Sequence, residues 1–158
     1  MATKKTLKAP ARRIIEAMIE RVTNEPKLLD QNAFPDNISP VCETPYCAAG
    51  HIVYLQSKRK FADLVKQGYD RKRQIDIVDI CDAPRVTWAY EAATILGLPN
   101  ADDSTFASYK PLFGSVGIGW LPKYRNMYNK AKTQKGRVKV FAKMWTKFLE
   151  VDGDVNAL

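Results

Sequence analysis

The amino-acid sequence predicts an irregular all-α domain of about five to seven helices. Three observations lead there. Apolar residues recur at three- and four-residue spacing in several separate stretches, prolines and glycines fall where such stretches begin and end, and only residues 69–83 leave room for a strand. A chain of 158 residues matches one domain with one core, able to bury roughly 70% of its unfolded surface. The expected organisation is a flexible basic tail over residues 1–8, a single helical domain over 9–150 and a C-terminal tail over 151–158.

The first helix is expected over residues 10–22. Ile14, Met18 and Val22 recur every four residues with Ile15 and Ile19 beside them, and Pro10 suits a first turn, where a missing N–H costs nothing. Asn24-Glu25-Pro26 stops it. Residues 26–40 form a connection with three prolines, pinned to the core by Leu28, Leu29, Phe34 and Ile38. Thr44 as N-cap and Pro45 as first residue start the next helix, placing Cys47 in its first turn and its end near Ser57. The small residues Cys47, Ala48, Ala49 and Gly50 invite another helix to cross closely.

Lys58-Arg59-Lys60 is expected to end that helix, with a short further segment over 61–66 closed by Gly68. In residues 69–83, Ile75, Ile77 and Ile80 among aspartates read as a strand or a helical turn. Pro84 opens a helix with Trp88, Ala92, Ile95 and Leu96 inward, closed by Gly97 at C′ and Pro99 beyond. Asp103 or Ser104 caps a short helix through Phe106, Tyr109 and Phe113. The glycine-rich residues 114–119 lead into Trp120-Leu121-Pro122 and a helix bearing Tyr124, Met127, Tyr128 and Ala131. The last helix, over about residues 135–149, gathers Val138, Phe141, Trp145 and Phe148 on one face. The core is expected to hold Ile14, Met18, Ile52, Leu55, Trp88, Leu96, Phe113 and Trp145.

No run approaches the roughly 18 apolar residues of a membrane span, and the basic start is not followed by a signal peptide's apolar stretch. Three cysteines give no disulfide framework and suit a reducing compartment, so the expected location is the cytoplasm, that of a bacterial host if the chain is phage-encoded, with no membrane partner. The oligomeric state is left open. The net charge of +8 favours an anionic partner, whether nucleotide, nucleic acid or acidic protein surface. Its distribution says more. Residues 104–149 carry ten Lys or Arg, namely Lys110, Lys123, Arg125, Lys130, Lys132, Lys135, Arg137, Lys139, Lys143 and Lys147, and none of the 17 carboxylates.

Cys42-Glu43-Thr44-Pro45-Tyr46-Cys47-Ala48-Ala49-Gly50-His51 resembles the C-G-T-x-x-C-I-A-G-W segment of a family of small uncharacterised phage and bacterial proteins. In that family L-L-G-L, L-F and W-P follow in order, and Ile95-Leu96-Gly97-Leu98, Leu112-Phe113 and Trp120-Leu121-Pro122 stand in the matching places. Glu43 replaces a glycine and His51 a tryptophan. The resemblance implies a phage or mobile-element origin and brings no activity with it.

Four constellations carry candidate chemistry. Cys47 near a helix N-terminus, with His51 one turn on, is the pattern of a thiolate nucleophile and its base, although no third group orients the imidazole; a small core cysteine gives the same sequence. Cys42, Cys47, His51 and Cys81 are every cysteine and the only histidine, enough for a tetrahedral zinc site but without the paired spacing of a zinc finger; no other cofactor is suggested. Residues 114–119 lack the Gly-Lys-Ser ending of a P-loop and the preceding strand of a dinucleotide fold, so they read as a connection. Lys135, Lys139, Lys143 and Lys147 form a ridge on a helix, and nine of the sixteen aromatics lie between Phe106 and Phe148, a mixture that binds bases by charge and stacking. A solvated lysine face over an aromatic core fits the same pattern.

The expectation is therefore a non-catalytic binding protein of phage or mobile-element type for an anionic ligand, such as a nucleotide or a host signalling or defence component. Lys123, Tyr124, Arg125, Lys139 and Lys143 are its candidate contacts. The alternatives are nucleic-acid binding through the C-terminal basic helix and a cysteine-dependent enzyme using Cys47.

Overall fold

The computed structural model describes residues 7–29, 47–74, 88–99, 109, 111–113 and 119–158. The fold is all-α, with no strand among the described residues. Among the described residues six helices have defined bounds: α1 (Ala9–Asn24), α2 (Ala48–Gln56), α3 (Lys58–Gln74), α4 (Trp88–Ile95), α5 (Pro122–Lys130) and α6 (Gln134–Glu150). Single 3-10 turns occur at Pro26–Leu28 and Val155–Ala157, and residues 109 and 111–113 are also helical. The ambiguous stretch divides: residues 69–74 continue α3, and Ile75, Ile77, Ile80 and Cys81 lie outside the described residues, as do Phe34, Ile38 and Phe106.

Helix α1 runs two residues beyond its expected end and buries Ala11, Ile15, Met18 and Val22, spaced so that they share one face. Ile15, Met18 and Val22 of the expected stripe are thus buried, joined by Ala11. Ile14 is only partly buried and lines a shallow surface groove with Pro10, Arg13, Ala17, Leu55 and Gln56. On the groove flank the Arg21 guanidinium lies 3.8 Å from the centre of the Tyr54 ring, a stacking contact between α1 and α2. On the opposite flank Arg12 reaches the end of α6, donating to the carbonyl of Leu149 at 3.3 Å.

Helix α2 starts later than Thr44-Pro45 suggested. Cys47 has extended backbone, with ψ of 171°, and occupies the N-cap without a side-chain cap bond, so it precedes the first turn. Residues 47–53 are all buried, and α2 packs most extensively on α4, whose Ala92 and Ala93 are fully buried. Small residues on both helices permit the close approach their sequence implied.

Lys58-Arg59-Lys60 begins α3; it does not end α2. Ser57 breaks the chain with φ −157° and ψ 111°, and its Oγ accepts from the Lys60 N–H at 3.2 Å, the N-cap pattern of serine. Gly68 lies inside α3. A helical glycine costs about 1 kcal/mol, too little to terminate a helix of this length. Gly97 does end α4: its φ of 66° and the bonds Gly97 N–H to Thr94 O (3.0 Å) and Leu98 N–H to Ala93 O (2.9 Å) make a Schellman motif.

The hairpin of α5 and α6 supplies the aromatic half of the core. Trp120, Tyr124, Tyr128, Phe141, Trp145 and Phe148 are all buried and meet in a mixture of edge-to-face contacts, such as Trp120 on Tyr128 at 5.2 Å between centroids, and tilted ones, such as Phe141 on Trp145 at 6.2 Å. Helix α6 closes in a second Schellman motif, with Asp152 N–H on Leu149 O (3.1 Å) and Gly153 N–H on Phe148 O (3.0 Å). Asp152 takes positive φ, 56°; its Oδ1 accepts from the Leu7 N–H at 3.1 Å and pairs with Arg12. The last residues are thus tied to the start of α1, and Leu158 is buried, so residues 151–158 belong to the packed body and are no loose tail.

Gly153 is required on two counts. Its φ is +82°, and a Cβ there would lie 2.8 Å from Leu7 Cγ, whereas a Cβ at Gly97 would meet nothing within 4 Å. Gly153→Ala is expected to cost about 2 kcal/mol and Gly97→Ala only the backbone share of about 1 kcal/mol. Equal losses in urea unfolding of the two variants would show that Leu7 does not press on the turn.

Candidate anion-binding surface

Helix α6 carries the surface. Each residue advances about 100° around a helix, so the buried positions Val138, Phe141, Met144, Trp145 and Phe148 cluster on one side. Lys135, Lys139, Lys143 and Lys147 fan over about 120° on the other, rising about 6 Å per step. The helix starts where it does because Thr133 caps it, its Oγ1 accepting from Gly136 N–H at 3.0 Å. The side-chain amide of Gln134 then donates to Pro26 O (2.9 Å) and Leu29 O (2.7 Å), seating the helix start on the turn that follows α1.

The ten cations sort by neighbourhood. Lys110 lies outside the described residues. Lys123 donates to the main-chain oxygen of Leu158 and sits 5.0 Å from the Tyr124 ring centre. Arg137 faces the Tyr128 ring at 5.8 Å, Arg125 is half-buried, and Lys147 pairs with Glu150 at 3.7 Å. Lys130, Lys132, Lys135, Lys139 and Lys143 are exposed, and among the described residues no carboxylate pairs with them. Lys130, Lys132 and Lys135 are not among the five candidate contacts read from the sequence; their place beside a hairpin turn is the signal that would have found them.

Charge position separates this surface from an ordinary solvated face. The first turn of α6 holds no acid but has Lys135 and Arg137, at the end where the helix dipole is positive. A cation there is unfavourable by roughly 0.3–1 kcal/mol. Helices α1 and α3 also begin without an acid, with Arg12 and Arg13 and with Lys58-Arg59-Lys60 respectively. Stability alone does not favour such placements; a raised positive potential follows from them.

The stacking half of the sequence reading fails. Of the nine aromatics from Phe106 to Phe148, the eight that are described are at most 5% exposed. Tyr124, chosen as a stacking donor, is sealed in the core, and burial first and the Glu150 charge second push its phenol above the ordinary tyrosine value. The rings fill the core because the α5–α6 hairpin has few other large apolar side chains to build with.

Cys47 and His51 are both buried, at 0% and 1% exposure. His51 Nε2 lies 2.8 Å from the carbonyl oxygen of Leu28; a carbonyl only accepts, so Nε2 carries the proton and is turned toward the turn after α1. A thiol closed off from solvent gives a substrate no approach, and Nε2 is committed to a backbone oxygen. Cys42 and Cys81, the remaining zinc candidates, lie outside the described residues, as do residues 114–118 of the glycine-rich loop. Among the described residues no group of three His, Cys, Asp or Glu could hold a metal ion, and no helix is long and apolar enough to cross a membrane.

No protein-family model, curated protein or solved structure matches this chain.

Proposed function

We propose that this is a non-catalytic binding protein that recognises an anionic partner through the lysine face of α6 and the turn before it. The observation that carries the proposal is the exposed line of Lys130, Lys132, Lys135, Lys139 and Lys143, paired with no carboxylate among the described residues, within 46 residues devoid of acid. A phage or mobile-element setting, implied by the segment from Cys42 to His51, belongs to the same proposal and makes a host component the natural target. The buried rings weigh against a small nucleotide gripped by stacking and favour a partner met across an open surface.

The test is thermal denaturation at low salt with heparin, a nucleic-acid duplex, poly-glutamate and nucleoside triphosphates added in turn. A ligand at a hundredfold excess over its Kd stabilises by about 2.7 kcal/mol, worth roughly 5–10 °C in a chain of this size. At least one polyanion is expected to give such a rise in the protein and a smaller one in K139Q/K143Q. No shift with any of the four sinks the proposal.

A further inference from the structure

We infer that the anionic partner is the phosphodiester backbone of a nucleic-acid duplex, bound without regard to base sequence; the inference rests on the binding function proposed above. Three observations favour a duplex over the other anions. The cations stand at intervals along an exposed helix face and, among the described residues, converge on no pocket; the described groove lies between α1 and α2. Base-edge readout uses lysine on guanine but relies more on the planar forks of arginine, asparagine and glutamine, whereas the exposed line is all lysine, a point charge suited to phosphate. The described rings from Tyr109 to Phe148 are buried, so a single strand gains nothing from its bases here and offers a lower charge density than a duplex.

The positive end of α6 fixes where the backbone enters. Lys130, Lys132 and Lys135 surround the hairpin turn, and the dipole of α6 adds to their field there. From that point Lys139 and Lys143 continue along the helix for roughly two more turns. At the far end Glu150 pairs with Lys147, which ends the cationic line.

The experiment is fluorescence anisotropy with labelled 20-base-pair DNA duplexes of two unrelated sequences, an RNA duplex, a single strand of equal length and a poly-glutamate peptide, at 50 and 200 mM salt. Four phosphate contacts, by Lys132, Lys135, Lys139 and Lys143, give a log-log salt slope of about −3.6, or a loss of about 150-fold between the two salts. The two DNA sequences are expected to bind within about twofold of each other and more tightly than the single strand, and K139Q/K143Q to flatten the slope by about two units. Binding of either duplex supports the inference, and the tighter of DNA and RNA names the source. Preference for the single strand overturns it. Poly-glutamate binding as tight as the duplex, and lost in K139Q/K143Q, overturns the duplex while leaving the anion-binding function standing; no binding to any probe removes both. Both lysines are exposed, so an unchanged melting temperature of the variant alone excludes misfolding as the cause.

Discussion

Trp145→Ala is expected to lower the unfolding free energy by about 4 kcal/mol, as large aromatic truncations in a packed core do. Trp145 is fully buried and is the hub of the ring cluster, with centroids 5.8 Å from Phe113, 6.2 Å from Phe141 and 5.5 Å from Phe148. Removing it strips all three rings of a partner and leaves a cavity that helices fixed elsewhere cannot close. Trp145→Phe is the informative companion. The indole Nε1 is buried with no hydrogen-bond partner among the described residues, so the change forfeits no described hydrogen bond and should cost only about 1–2 kcal/mol of lost volume. Urea unfolding would show both as shifts in midpoint at constant slope. A phenylalanine variant as damaged as the alanine variant would mean that the indole N–H has a partner that matters.

The same helix explains why the fold was legible in the sequence and the site only half so. Val138, Phe141, Trp145 and Phe148 mark the inner face of α6 by their spacing, and the lysines at 135, 139 and 143 must then lie opposite. That step needs only the helical period. Gly97 was equally readable, because a positive-φ position after an apolar helix has few other solutions. The aromatic residues were not, because a ring serves a core and a stacking surface alike and the sequence does not say which way Tyr124 turns. The start of α2 was misplaced for a related reason: Thr44-Pro45 is a good helix opening by local propensity, yet Cys47 is extended. The end of α2 at Ser57 was legible, but the start of α3 there was not, because Lys58-Arg59-Lys60 reads as a C-terminal cluster favoured by the dipole and stands at an N-terminus.

Those misplacements share a physical origin. Local signals rank alternatives that differ by about 1 kcal/mol, and tertiary contacts worth more than that decide between them. Long-range ties show the scale. Asp152 accepts Leu7 N–H and pairs with Arg12 across more than a hundred residues, and Gln134 holds carbonyls on a turn equally remote in sequence. None of these partners is visible in a local window, although each fixes where a helix begins or ends.

His51→Ala is expected to cost about 3 kcal/mol, through a cavity beside α2 and an unsatisfied Leu28 carbonyl. The size of the loss does not reveal the role; the pattern of rescue does. Glutamine places an amide N–H at about the reach of the imidazole Nε2, so His51→Gln should recover most of the loss and leave about 1 kcal/mol, while His51→Leu restores volume without a donor and should recover less. His51 and Gln134 both hold the turn at Pro26–Leu28, one through Leu28 O and the other through Pro26 O and Leu29 O. Once either is removed the turn is partly released and the other has less to hold. The double variant H51A/Q134A should therefore fall short of the summed single losses by about 0.5–1 kcal/mol. Strict additivity, with glutamine no better than alanine, would deny His51 its part in holding the turn and reopen a chemical role for it beside Cys47.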